Sequence, residues 1–487
     1  MKLSQLLYGI QAFPEKSDAE ITGVTNDSRK ITPGCVFFCI QGTTYDGHLF
    51  ASDALKQGAA AVVTQRRLNL AGEITVTDTH IAYATAAANY FGNPAKKLKL
   101  VGVTGTNGKT TTTMIIRHIL ITQGFKTGIV GTIQNMINDD VLPAKNTTPD
   151  AYELQELFSK MVDAGCTHCV MEVSSHALAQ DRVGGCHFDV AVFTNLTQDH
   201  LDYHGDMESY MLAKRKLFTM CDTAVVNSDD EHGEAMVDGL PCRTVTYSAQ
   251  NDNADYTAKN IRYRADGVNF ILVGFGDIAR VKLHTPGLFS VYNAIASALC
   301  AHALGIPFDK ICESLLTATG VKGRVEVVPT GRNFTVIIDY AHTHDGLVNI
   351  ISALKASLEG RLVVLFGCGG DRDRTKRPLM AKAVASGADF AIVTSDNPRT
   401  ENPADIIKDI LPGISESATP YLVIENRREA IFHAIQTALP GDLILLAGKG
   451  HETYQILATE TIHFDEREVV ADALKTLPPV PAEAGRI

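Results

Sequence analysis

No stretch of the 487-residue chain approaches the run of roughly 20 apolar residues that a membrane-crossing helix needs, so no bilayer insertion is expected. The amino terminus, MKLSQLLYGIQAF, lacks the apolar core and small-residue cleavage site of a secretory signal, which makes the cytoplasm the expected location. Positive charge is also short. Forty-four Lys and Arg against 55 Asp and Glu leave a net charge of −11, which argues against broad attraction to nucleic acid or anionic lipid. Any phosphate ligand must therefore be met by local donors. Repeats, low-complexity tracts and coiled-coil heptads are missing. The ten cysteines form no disulfide framework, and most lie in apolar strings such as CVFFC, Cys35 to Cys39. The one CxxC, Cys166 to Cys169, has no second pair at zinc spacing and leads into the apolar CVMEV, so it reads as structural.

What is present is an ordinary soluble composition, 45% apolar and 20% charged, in a chain long enough for about two to four domains. Residues 1–97 hold short strands, Gly and Pro turns and a helical SDALKQGAAAVV, a small α/β unit that ends in the linker-like FGNPAKKLKL, Phe91 to Leu100. From LVGVTG onward, strands alternate with helices, which predicts a mainly parallel sheet over 98–325. A second break is expected near TGVKGRVEVV, Thr319 to Val328, and a third unit over 326–487. There the apolar runs TVIIDYA, RLVVLFG, DFAIVTS and DLILLAG read as buried strands of a Rossmann-like sheet. Polar strings follow each run: HTHD, CGGDRDR, DNPR and GKGHE. In an open α/β sheet ligands bind beyond the carboxyl ends of the strands, so these loops should share one crevice.

VGVTGTNGKTTT, Val101 to Thr112, joins a strand to a helix. Gly105 and Gly108 allow close backbone approach to phosphate, Lys109 supplies a point charge, and Thr110 can ligate magnesium. The strict phosphate-loop spacing fails at Val103. With no guanine-reading Asn-Lys-x-Asp, ATP is the expected nucleotide. MEVSSHALAQDR places Glu172 in a strand with Ser174, Ser175, His176, Gln180 and Arg182 beyond it, and FTNLTQDHLDYHG places Asp199, His200, Asp202 and His204 beyond another. Carboxylates and a histidine there suit magnesium or manganese, with His204 read as structural.

Taken together, GTNGKTT, MEVSSH, TNLTQDHLDYHG, YMLAKRKLF, DYAH and GKGHE resemble the Mur ligase family of ATP-dependent amide-forming enzymes, over essentially the whole chain. The resemblance is nearest to the members that add meso-2,6-diaminopimelate. It implies three domains: 1–97 for the UDP end of the substrate, a central P-loop ATPase domain over 98–325, and a mobile C-terminal domain over 326–487 for the incoming amino acid. It implies a monomeric acid–amino-acid ligase that forms ADP and phosphate in peptidoglycan precursor synthesis, and so serves cell-wall construction, shape and division. Its substrates would be ATP, UDP-N-acetylmuramoyl-L-Ala-D-Glu and meso-2,6-diaminopimelate, with Mg2+ as cofactor.

By the same resemblance, Gly105, Thr106, Asn107, Gly108, Lys109, Thr110, Thr111, Arg324, Asp339 and His342 match nucleotide positions. Ser28 and Arg29, with Asp46 to His48, match the uridine-diphosphate region, and Thr147, Thr148, Ser174, Gln180 and Arg182 match positions that hold the muramoyl dipeptide. Thr110, Glu172 and His200 match metal-binding positions, and Lys214 matches a lysine carried as a carbamate (N6-carboxylysine), which makes Lys109, Glu172, His200 and Lys214 the expected catalytic group. Carbon dioxide reacts only with a neutral amine, and burial favours that form. Arg372, Asp396, Asn397, Arg399, Gly448 and Glu452 match the diaminopimelate pocket. Two positions depart from the family pattern: His344 stands where proline is usual and Ser290 where asparagine is common. A lysine-adding ligase, a folylpolyglutamate synthetase-like enzyme and a nucleotide-switched binding protein are the alternatives.

Overall fold

The apolar runs become strands buried on both faces. In the C-terminal sheet Ile337, Val364 and Leu445 point into one core while their neighbours Val336, Ile338, Val363, Leu365, Ile444 and Leu446 point into another. Period-two alternation with both faces covered gives unbroken hydrophobic sequence. The structure is a computed structural model that describes residues 1–13, 18–42, 45–264, 267–274, 276–318, 320–355, 358 and 360–478. Thr319, at the expected second break, and residues 479–487 lie outside the described residues.

Three larger sheets follow one another along the chain. The first has five strands, in the order Ala12–Phe13, Glu73–Val76, Ala61–Thr64, Cys35–Phe38, Gly23–Thr25. The helix Thr79–Tyr90 packs on it, started by Asp78, whose carboxylate accepts from the amides of His80 and Ile81.

The second sheet has eleven strands. Lys99–Thr104 lies at its centre between His168–Glu172 and Phe188–Phe193, and all three run parallel. Antiparallel strands, including Asn135–Ile137 and Gly267–Gly274, lie toward its edges. The strand order reverses direction around Lys99–Thr104, so the loops after these three strands leave the same edge at a switch point, where α/β sheets open a crevice.

The third sheet has six strands, in the order Glu326–Val328, Thr335–Asp339, Leu443–Ala447, Leu362–Phe366, Phe390–Val393, Tyr421–Val423. All but the first run parallel, which brings the loops after Asp339, Phe366, Val393 and Ala447 to one edge.

The stretch read as a linker is packed. Pro94–Lys97 forms a short 3-10 helix, Ala95 and Leu98 are buried, and the rings of Tyr90 and Phe91 rest on Tyr152 with centroids 6.0 and 5.0 Å away. Glycine, proline and lysine there mark a tight turn in a packed junction. His344 opens the helix His344–Lys355, with Thr343 Oγ1 accepting from the Gly346 amide at 3.1 Å. The first helical position is where proline is also favoured, because its missing N–H has no helical partner to lose. Ser290 is buried in Leu288–Ala303 and donates to the Pro286 carbonyl at 2.8 Å. Cys166 and Cys169 are buried free thiols.

Candidate active site

The phosphate loop is fixed from the side by residues that sequence reasoning passed over. Asn195 Oδ1 accepts from the Asn107 amide at 2.9 Å, and its Nδ2 donates to the Asn107 carbonyl at 3.1 Å. The Thr106 amide donates to the Asn195 carbonyl, and Thr194 Oγ1 donates to the Asn107 carbonyl at 2.6 Å. Gly105 has φ 146° and Gly108 φ 86°, and a Cβ at Gly105 would lie 1.9 Å from Thr194 Oγ1. Gly105→Ala is therefore expected to destabilise the protein by about 2 kcal/mol or more, read as a lowered denaturant midpoint; a change within about 0.5 kcal/mol would mean that the loop relaxes freely.

Lys109 Nζ donates to the carbonyls of Gly105 and Thr106, both at 2.8 Å, so the ammonium lies over the loop. Thr106 Oγ1 lies 3.2 Å from Tyr210 Oη. Thr111 occupies the first turn of the helix Lys109–Thr122. Thr110 Oγ1 donates to Glu172 Oε2 at 2.9 Å. Glu172, the last residue of its strand, is 2% exposed, and Thr132 holds both its oxygens: the amide donates to Oε1 and the hydroxyl to Oε2, each at 2.9 Å. Thr132 gave no sequence signal.

The dipeptide candidates continue from this point. Thr132 and Thr147 hydroxyls are 3.0 Å apart, Thr148 donates to the Glu172 carbonyl at 2.8 Å, and Arg182 donates to the Thr148 carbonyl at 2.9 Å. Gln180 accepts from Arg182 and donates to Tyr203 Oη. Ser174 Oγ caps the helix Ser175–Ala179 through the Ala177 amide. Ser28 lies apart in the first unit, on a 3-10 turn whose Arg29 pairs with Asp27. Nearby in sequence, buried His48 Nε2 accepts from the Gln65 amide, so Nδ1 carries the proton and donates to Asp46 at 2.7 Å.

Lys214 and Tyr210, four residues apart, share the buried face of Met207–Arg215. Lys214 is 1% exposed, its Nζ 2.9 Å from the Gly105 carbonyl and 4.4 Å from the Tyr210 ring centroid. Burial pushes its pKa well below the usual lysine range, and the nearby Lys109 charge adds to this.

His200 pairs with Asp199, Nε2 to Oδ2 at 3.3 Å, and burial pushes its pKa down to about 4. His204 hydrogen-bonds Ser175 Oγ at 2.9 Å. Among the described residues no group of three or more His, Cys, Asp or Glu side chains is arranged to hold a metal ion, so Glu172 and His200 are not gathered with a further such ligand. What the site offers a cation is Thr110 Oγ1 and the two Glu172 oxygens, beside a cavity of about 70 Å³ bounded by Met114, Ile129, Val321 and Lys322. Hard oxygen donors suit magnesium, which keeps several waters and takes one or two carboxylates. A larger groove, about 350 Å³, lies between the helices His344–Lys355 and Lys376–Gly387 and is lined by none of the candidate residues.

The third sheet reaches this centre through the junction. Arg324 Nη2 donates to Thr110 Oγ1 at 3.3 Å, and its guanidinium lies 4.6 Å from the Tyr340 ring centroid. Asp339 accepts from the amides of Val325 and Ala341, both at 2.8 Å, which pins Val325 at φ 48°. That conformation is strained for a β-branched residue and is sustained by its surroundings. His342 Nδ1 donates to the Tyr340 carbonyl at 2.9 Å, and burial lowers its pKa. Burial works to raise the Asp199 pKa, but His200, His342, Lys376 and Lys109 outweigh it and hold the carboxyl below its usual range. Charges from two sheets thus meet at Asp199; Lys376 was not foreseen.

Farther along the same edge, DNPR forms a second cluster. Arg399, at φ 52°, donates its amide to Ile456 and Nη1 to the Gly370 carbonyl at 2.8 Å. Asn397 Nδ2 donates to Glu452 Oε2 at 2.9 Å, and a Cβ at Gly448 would lie 3.1 Å from Asp396 Oδ2. Arg372 is exposed, with Nη1 donating to the Asp371 carbonyl at 3.2 Å.

Family models match along the chain: "Mur ligase family, catalytic domain" over residues 20–100, "Mur ligase middle domain" over 103–301, and "Mur ligase, glutamate ligase domain" over 323–450. A UDP-N-acetylmuramoyl-L-alanyl-D-glutamate–2,6-diaminopimelate ligase of Caldanaerobacter subterraneus subsp. tengcongensis is 49% identical over 97% of this chain and 99% of its own. The ligase of the same name from Clostridium perfringens is 45% identical over 98% and 100%. A solved structure of a ligase of that name, 34% identical, superposes with a TM-score of 0.72 over 98% of this chain and 99% of its own. On these matches and on the site they span, the chain belongs to the Mur ligase family.

Proposed function

We propose that the protein is the ATP-dependent ligase that joins meso-2,6-diaminopimelate to the D-glutamyl side-chain carboxylate of UDP-N-acetylmuramoyl-L-Ala-D-Glu, releasing ADP and phosphate in peptidoglycan precursor synthesis. The single observation that carries this reading is one unbroken path of contacts. It runs from Arg324 through Thr110 and Glu172 to Thr132, Thr147 and Thr148, joining the junction of the third sheet, the phosphate loop and the dipeptide candidates. The likeness to diaminopimelate ligases over nearly the whole chain supports the choice of substrates.

In this reading residues 1–97 take the UDP end, 98–325 hold ATP and 326–487 bring the amino acid. The protein works as a monomer in the cytoplasm. No described helix is long and apolar enough to cross a membrane. The γ-phosphoryl group passes to the glutamyl carboxylate, giving an acyl phosphate and ADP. Thr110 and Glu172 would hold magnesium, which when bound would supply charge neutralisation on the phosphate oxygens. Lys109 adds positive charge over the loop, and Arg324 adds it from the third sheet beside Thr110. Lys214, buried and with its pKa pushed well below the usual lysine range, takes up carbon dioxide as a carbamate and releases a proton. The amine of the diamino acid then attacks the acyl carbon, loses a proton, and the tetrahedral intermediate expels phosphate. Bringing the third unit against the loop keeps water from the acyl phosphate.

Phosphate release should require the UDP-muramoyl dipeptide and an amino acid together. Release with ATP alone, or with a folate acceptor in place of the dipeptide, would overturn the reading.

A further inference from the structure

Lys449 lies between the two glycines of GKGHE and is fully buried, with 0% of its side chain exposed. A buried ammonium needs partners that offset its lost hydration. Its Nζ donates to Asn397 Oδ1 and to Glu452 Oε2, both at 3.1 Å, and stands 3.6 Å from Asp396 Oδ1, within ion-pair range but beyond a hydrogen bond. Two consequences follow for the wall beside Arg399. Asn397 Oδ1 also accepts from the Ile456 amide at 3.0 Å, so its amide orientation is fixed: oxygen toward Lys449, nitrogen toward Glu452. Asp396 Oδ1 is left buried without a hydrogen-bond partner among the described residues. Behind this wall Glu466 is balanced by Arg427 at 2.8 Å. Asp396, Glu452 and Lys449 together therefore leave one negative charge, carried where a carboxylate oxygen still lacks a donor.

We propose that Lys449 is a positioning and specificity-determining residue of the amino-acid pocket. Its ammonium cancels the Glu452 charge and orients Asn397, so that Asp396 takes a single ammonium group of the incoming amino acid while Arg399 takes the carboxylate beside it. This rests on the reading that the pocket receives diaminopimelate. Without the lysine, the Glu452 charge would stand uncancelled beside Asp396 and Asn397 would lose one of the donors that orient it, so the charge balance and the geometry of the wall would both change.

The test compares Lys449→Gln, which keeps a donor and removes the charge, with the pair Lys449→Gln/Glu452→Gln, which restores the charge balance. The single change should raise KM for diaminopimelate by about 30-fold while KM for ATP stays within about twofold. The pair should recover most of that loss. A diaminopimelate KM within about twofold of wild type in the single variant, or KM values for all substrates rising in parallel with a falling Tm, would overturn the role of Lys449. If the single variant does not fold, the pair is compared with Glu452→Gln alone. A pair that binds diaminopimelate no worse than Glu452→Gln supports the charge balance, and one that binds it at least tenfold worse overturns it. Wild-type turnover of diaminopimelate in the same assay reports separately on the pocket assignment.

Discussion

Lys214→Ala should lower kcat by at least about 100-fold, and acetate should restore part of the loss. The expectation comes from where the amine sits. Its Nζ is enclosed by the Gly105 carbonyl and the Tyr210 ring, and it competes with the Lys109 ammonium for the same carbonyl. Such a site favours the neutral amine, whose lone pair can add to carbon dioxide and release a proton. The resulting carbamate would supply two carboxylate-like oxygens beside the phosphate loop. Alanine leaves a space there, and a short free carboxylate can fill it and supply similar oxygens. Arg215, the next residue, cannot substitute because its guanidinium keeps its proton. A fully active Lys214→Ala protein would remove the residue from the mechanism, and loss of activity that acetate does not touch would argue against the carbamate.

Arg399→Ala should cost about 100-fold or more in kcat/KM for diaminopimelate and leave KM for ATP nearly unchanged. The guanidinium is held in place before any substrate arrives: Nη1 donates to the Gly370 carbonyl, the backbone amide donates to Ile456, and a Cβ on Gly369 would come within 2.8 Å of Nη1. Of its five N–H groups, those left over can grip a carboxylate in a fork. Lysine lacks the carboxylate that diaminopimelate carries at that end, so with lysine bound the fork would face no partner. Loss of the arginine should narrow the preference between the two amino acids as well as lower the rate. Near-normal kinetics with diaminopimelate would refute the assignment.

Sequence showed the parts of this site that depend on local order. The strands before Gly105, Ser174, Thr394 and Gly448 were legible because burial on both faces leaves unbroken apolar runs. The phosphate loop was legible because close backbone approach calls for Gly105 and Gly108. The residues that hold these parts in register were not legible. Asn195 meets Asn107 across 88 positions, Glu172 meets Thr132 across 40, and Lys449 meets Asn397 across 52. Nothing local distinguishes such an Asn, Thr or Lys from a solvated one. Composition marked Phe91 to Leu100 as a junction but not its packing, because a Gly-Pro-Lys stretch reports turn tendency and not the Tyr152 ring opposite. His200 illustrates the same limit. It follows its strand as expected, yet the carboxylate its ring meets is that of Asp199, its immediate neighbour in the chain.

Selection by Arg399 is best tested by supplying purified protein, ATP, magnesium and UDP-N-acetylmuramoyl-L-Ala-D-Glu with diaminopimelate and lysine in equal amounts, and measuring the two tripeptide products by mass. A product at least about 100-fold enriched in diaminopimelate is expected. Equal incorporation of lysine, or no amide product with either, would contradict it.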